Sequence, residues 1–137
     1  MKDPLAPEID KTLNRIRDEQ FVTDFKRQQE INYQINKEHG FEEQAERAIG
    51  TEYEMDNVGL KIALIFTELS EALESFRHGD PPSDHIPEFT GSEEEFADAI
   101  IRIMNIAHGR GLRVAEALIA KRAFNAARPF RHGGKRF

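Results

Sequence analysis

The chain of 137 residues has no cysteine, so it forms no disulfide and offers no thiolate to a metal. It has no apolar run near the roughly 18 residues that suggest a membrane span. The opening MKDPLAPEIDK lacks the basic start and apolar core of a secretory signal. These absences predict a cytoplasmic protein with no membrane partner. No window sustains the two-residue alternation of a half-buried strand, and no repeat or low-complexity tract is present. An all-α fold is the expectation.

Charge is present but unevenly spread. From Lys121 onward there are six Lys or Arg residues and no acid, so the net −6 of the chain is −12 over residues 1 to 120. An acidic body with a basic end argues against general nucleic-acid binding. The length suits one domain, 1–137, because such a chain closes one core and hardly two.

Pattern and punctuation divide it into helices. Residues 1–12 carry two prolines and read as a loose lead-in. One or two amphipathic helices then end near Gly40, with Phe21, Phe25 and Ile35 facing inward. A short polar helix over residues 41–49 is closed by Gly50. The next helix runs from about Asn57 to Phe76, and the proline- and glycine-rich segment 77–91 is a loop. Thr90 or Ser92 caps a helix that reaches about Ala107. A last helix spans roughly Val114 to Ala127, and 129–137 is a basic tail. The four principal helices suggest a bundle with an added N-terminal helical segment.

Two of these helices carry unusual polar positions. On a helical wheel, Ile65, Phe66, Leu69, Ala72, Leu73 and Phe76 fill an arc of about 120° that reads as a core face. Glu68 and Glu71 lie off it, beside the directions of Leu60 and Leu64, so their side is expected to meet another helix. Glu74 stands apart and reads as solvated. In EEEFADAIIRIMNIA the polar strip of Glu95, Asp98, Arg102 and Asn105 is only about 80° wide. A helix so apolar belongs inside a bundle, with its strip against something polar.

Each helix thus offers an acidic i,i+3 pair, whose members are neighbours on its surface. If the two pack antiparallel, Glu68, Glu71, Glu95 and Asp98 converge. Like charges 6 Å apart cost about 3 kcal/mol per pair at an effective dielectric near 20, a large part of a domain's stability. A divalent cation or protonation relieves that cost, and oxygen-only ligands favour Mg²⁺ or Mn²⁺ over zinc. The plainer readings are a solvated acidic face and, for Glu95, a capping box with Ser92. Thr90 with Glu93 is the alternative box, which leaves Glu95 free.

Lys121, Asn125 and Arg128 recur at i, i+4, i+7 and so form one stripe. Such a stripe either complements the helix dipole or grips phosphate oxygens. A different metal site, on the loop residues His78, Asp80, Asp84 and His85, is conceivable from residue type alone.

Taken together, ELSEALESFR, EEEFADAIIRIMNIA and KRAFNAARPFRHGGKRF resemble the MazG-like nucleotide pyrophosphohydrolases of the all-α NTP pyrophosphatase superfamily. The resemblance covers roughly residues 58 to 136, with 23 residues between the E-x-x-E and E-x-x-D halves. It implies a MazG-like four-helix-bundle fold and hydrolysis of a nucleoside or deoxynucleoside triphosphate to its monophosphate and pyrophosphate, for cleansing the nucleotide pool. It further implies that Glu68, Glu71, Glu95 and Asp98 hold Mg²⁺, with Mn²⁺ as a substitute, and that metal-activated water attacks. Lys121, Asn125 and Arg128, with Lys61 as a further candidate, then hold the phosphates or sugar. A dimer or tetramer is implied as well. One departure is Thr67, where many relatives have an acid, which leaves the number of metals open. Base preference is expected to rest on first-helix residues such as Phe21, Gln28, Asn32 and Tyr33. The alternative function is a catalytically silent helical interaction module with a basic C-terminal tail.

Overall fold

The computed structural model describes residues 6–128. Among these residues the protein is all-helical, with five helices in the order α1 (Ala6–Glu38), α2 (Glu43–Ala48), α3 (Glu54–Arg77), α4 (Gly91–Gly109) and α5 (Val114–Ala126). The one extended pairing is an isolated bridge between Pro82 and Thr90. No described helix is long and apolar enough to cross a membrane.

Helix α1 is a single element and starts earlier than its prolines suggest. Residues 6–12 are helical rather than a loose lead-in. Pro7 sits in the first turn, where its missing N–H would have had no intrahelical acceptor, so it does not interrupt the helix. Residues 1–5 and the basic tail 129–137 lie outside the described residues.

Packing divides the chain into two compact units, residues 28–112 and the flanking segments on either side. In the first unit α3 and α4 are antiparallel. Phe76 meets Phe96 with ring centroids 6.2 Å apart, Glu68 meets Arg102, and Glu54 meets Arg110, so advancing along α3 retreats along α4. The pair touches through small residues, with Ala72, Ala99 and Ala107 buried. In the flanking unit α1 and α5 are also antiparallel, tied by Lys26 to Glu116 at 2.5 Å and by Arg122 to Asp18 at 2.8 Å, with Ala115 fully buried.

Among the described residues the expected core faces are mostly exposed. Of the α3 arc only Ala72 is buried and Ile65 half-buried, whereas Phe66 is 66% exposed and Leu69, Leu73 and Phe76 are exposed too. Phe96, Ile100 and Ile103 of α4 are likewise exposed, as are Phe21 and Ile35 of α1. For α3 and α4 the physical reason is the small buried residues Ala72, Ala99 and Ala107. Helices that meet through methyl groups turn their larger side chains to the flanks.

The loop between α3 and α4 is fixed by Asp80, whose backbone has φ of 53°. Aspartate tolerates this left-handed region better than most residues. Its carboxylate accepts from the Ser92 N–H at 2.9 Å, the Ser92 hydroxyl at 2.8 Å and the Ser75 hydroxyl at 2.9 Å, so one side chain ties the end of α3 to the start of α4. Thr90 and Glu93 form the capping box, with the Thr90 N–H donating to Glu93 at 2.8 Å. Glu95 is thereby free of a capping role.

Gly91 is where this joint is tightest. A Cβ there would lie 2.5 Å from Ser75 Oγ and 3.3 Å from Ser75 Cβ. Gly91→Ala is therefore expected to lower stability by about 1–3 kcal/mol, the usual cost of overpacking. Urea unfolding reads the change, and an unaltered midpoint would mean that Ser75 rotates away without cost.

Candidate metal centre

The antiparallel register brings three of the four sequence-predicted carboxylates together. One oxygen each from Glu68, Glu71 and Glu95 lies within 4.8 Å of the others. Glu68 and Glu71 share a face of α3 because they are three apart, and α4 presents Glu95 to them. Among the described residues this trio is the one group of His, Cys, Asp and Glu side chains gathered closely enough for a metal ion.

Glu68 is only 6% exposed, Glu95 is half-buried and Glu71 is exposed. The charge on Glu68 is met by Arg102, whose Nε donates to its Oε1 at 2.5 Å. Among the described residues Glu95 has no such cation. Burial, a hydrogen bond with Glu68 and the charges of Glu71, Glu68 and Glu94 push its carboxyl up to about 7. At neutral pH it is poised between sharing a proton and repelling its neighbours.

Asp98 stands outside the trio but feels it. Although the residue is exposed, its carboxyl is raised by desolvation and by the charges of Glu68 and Glu94, against the opposing pull of Arg102 and His85. Glu94 is engaged elsewhere, accepting from the Ser83 hydroxyl at 2.5 Å and meeting His85 Nδ1 at 2.7 Å. Those contacts hold Glu94 low, and the same pair raises His85.

Beside the trio is a cavity of about 350 Å³ bounded by α2, α3, α4 and the end of α1. Leu60, Leu64, Ile101 and Ile106 form an apolar wall, so the leucine side of α3 borders this space rather than another helix. Asn36, Glu42, Lys61 and Asn105 supply polar groups, and Asp98 and Arg102 also line it. Glu42 is 2% exposed and is held by an ion pair with Lys61 and by Asn36 Nδ2 at 3.4 Å. Lys61 is thus neutralised by Glu42 inside the cavity.

The other predicted residues fall elsewhere. Lys121, Asn125 and Arg128 are exposed on or just beyond α5, in the flanking unit. Lys121 Nζ and the Arg128 guanidinium lie 4.6 Å and 5.3 Å from the Phe124 ring centroid, so both cations lie against the same aromatic ring. The loop residues do not gather. Asp80 clasps Ser75 and Ser92, His85 meets Glu94, and His78 meets Glu74. Glu74 also pairs with Arg77, stands 56% exposed and takes no part in the trio.

No family model, curated protein or solved structure matches this chain. The site is argued from its own chemistry. Three roles emerge only with the fold: Arg102 as partner of Glu68, Glu42 as the buried partner of Lys61, and Asn105 as a cavity residue. Arg102 and Asn105 belong to the narrow polar strip of α4, and that strip is their signal in the sequence. Glu42 precedes a six-residue helix and has none.

The donor set fits a hard divalent cation. All three groups are carboxylates on two packed helices, one is strained by its neighbours' charge, and no soft ligand is near.

Proposed function

We propose that this chain is a MazG-like pyrophosphohydrolase that converts a nucleoside or deoxynucleoside triphosphate to the monophosphate and pyrophosphate with Mg²⁺ or Mn²⁺. The observation that carries the reading is the convergence of Glu68, Glu71 and Glu95 across α3 and α4, with Glu95 raised to about 7 by burial and by the charges around it.

Glu68, Glu71 and Glu95 are the residues to hold the cation, with Asp98 beside them. A cation so held supplies positive charge against the phosphate oxygens and acidifies water at neutral pH. The chain's own groups do the rest. Arg102 orients the buried Glu68, because its Nε donates to Oε1 and the guanidinium charge lies against the carboxylate. Lys121, Asn125 and Arg128 form the stripe to which the resemblance assigns the phosphate chain or sugar.

A homo-oligomer completes the proposal. Phe66, Leu69, Leu73 and Phe76 on α3, with Phe96, Ile100 and Ile103 on α4, are exposed apolar groups of the kind that subunit contacts cover.

The test is the product released from ribo- and deoxyribonucleoside triphosphates by the full chain with Mg²⁺ or Mn²⁺. Pyrophosphate, rather than orthophosphate, is expected from at least one nucleotide. If none yields pyrophosphate with either metal, the reading falls, and the exposed apolar faces favour the alternative of a helical interaction module.

A further inference from the structure

The cavity beside the carboxylate trio has features that metal binding does not require. It has an apolar wall of leucine and isoleucine facing a polar group of Asn36, Glu42, Lys61 and Asn105. Its volume of about 350 Å³ is in the range of small-ligand sites, at the lower end. Asp98 and Arg102 line it, and Arg102 also holds Glu68, so the cavity adjoins the trio directly.

The polar groups are incompletely matched. Asn105 is 4% exposed, yet its Oδ1 is buried with no hydrogen-bond donor among the described residues. Buried amide oxygens are almost always paired, so one left single asks for a partner from outside. Lys61 has the converse surplus. Its ammonium carries three donors, and among the described residues Glu42 is its one ion-pair partner. The carboxylate of Glu42 is saturated by comparison, with Lys61 on one oxygen and Asn36 on the other. The cavity therefore offers spare donors at Lys61 and an unmet acceptor at Asn105, beside an apolar wall.

A flat heterocycle answers this description. Its faces are apolar, and its edge carries a hydrogen-bond acceptor next to a donor. We infer that the cavity holds the base of the nucleotide, that Lys61 and Asn105 read the base edge, and that the protein selects among bases rather than accepting all of them. The inference rests on the hydrolase reading for the phosphates but not for the pocket itself. It moves Lys61 from the phosphates to the base. It also relieves Asn32 and Tyr33 of that duty, because Asn32 donates to the Met104 sulfur and Tyr33 packs on His108 and reaches Glu46.

Selectivity follows from the same unmatched groups. A site built to hydrogen-bond a ligand rejects an analogue that leaves its buried polar groups unpaired. Removing the amide removes that penalty for every base alike.

Equilibrium binding of the four common nucleoside monophosphates, without metal, tests the pocket apart from the reaction. The full chain is titrated with each by calorimetry. Native protein is expected to bind one or two of them at least about tenfold more tightly than the weakest. Asn105→Leu should bring the four within about threefold of one another and should melt no lower than the native chain, since an orphaned amide holds nothing in place. Leu60→Trp, at a position 55% exposed, fills the cavity with little risk to folding and should abolish all four interactions.

Equal binding of the four by native protein, or a preference unchanged in both variants, overturns the inference. So does pyrophosphate release with no monophosphate binding at all, which leaves the hydrolase reading standing. Selective binding without pyrophosphate release supports the pocket and sinks the reaction.

Discussion

Glu95→Gln is expected to cut pyrophosphate release roughly 100-fold or more while making the metal-free protein more stable at pH 8. The activity loss follows from ligation. Disturbing a partner behind a ligand already costs about 10- to 100-fold in metal affinity or activity, and replacing a ligand costs at least that. The stability gain follows from the raised carboxyl. Glu95 is pushed up to about 7 from an ordinary value of 4.5, so the folded state holds its proton more tightly than the unfolded chain does. Stability of the native protein therefore declines as pH rises from about 4.5 to about 7 and stays at the lower level above that. Glutamine carries no charge and donates to Glu68 as the protonated acid did, so the variant escapes the decline.

Melting curves between pH 4 and 8 give the check. Native and variant proteins should coincide near pH 4 and separate up to pH 7. Mg²⁺ or Mn²⁺ should raise the melting temperature of native protein at pH 8 and leave the variant nearly unmoved. A variant that melts lower than native at pH 8, or responds to metal equally, would remove the trio from consideration as a cation site.

The second large effect is expected at Arg102. Arg102→Met keeps the length and apolar stem of the side chain but leaves the Glu68 carboxylate buried without a cation. Breaking one side of a buried pair costs about 3–5 kcal/mol. The Arg102 side chain is 40% exposed and that of Glu68 8%, so solvent screens part of this and about 1–3 kcal/mol is expected for the metal-free protein. A divalent cation at the trio supplies the missing charge. Saturating Mg²⁺ or Mn²⁺ should accordingly restore most of the loss, which denaturant unfolding with and without metal measures. A deficit that persists in metal would mean that Glu68 faces Arg102 alone and does not ligate.

These two residues mark the boundary of what the sequence disclosed. The helix junctions were legible because their chemistry is local. Thr90 with Glu93 makes the cap, and Gly40 and Gly50 end their segments with φ of 79° and 74°. The strip on α4 was legible from its narrowness, and it does meet the polar face of α3. What covers a helix face was not legible, since a wheel gives the direction of Phe66 or Ile100 but not whether anything stands opposite. Nor was the exact register. A shift of one turn between the helices decides whether Asp98 or Glu95 lies against Glu68, and that depends on the Asp80 joint and the alanine contact together. The early start of α1 is hidden because proline signals a break in most helical positions and is harmless in this one.

The buried alanines have a consequence for the site as a whole. Ala72 follows Glu71 directly, and Ala99 is one turn beyond Glu95, so the methyl contacts lie within a turn of the carboxylates. The distance between two helix axes depends on the side chains at their crossing. These methyl groups act as a spacer gauge, fixing how far apart the oxygens on facing helices stand before any ion arrives. For a cation held by the trio as proposed, selection by size would then be written partly in residues that carry no charge.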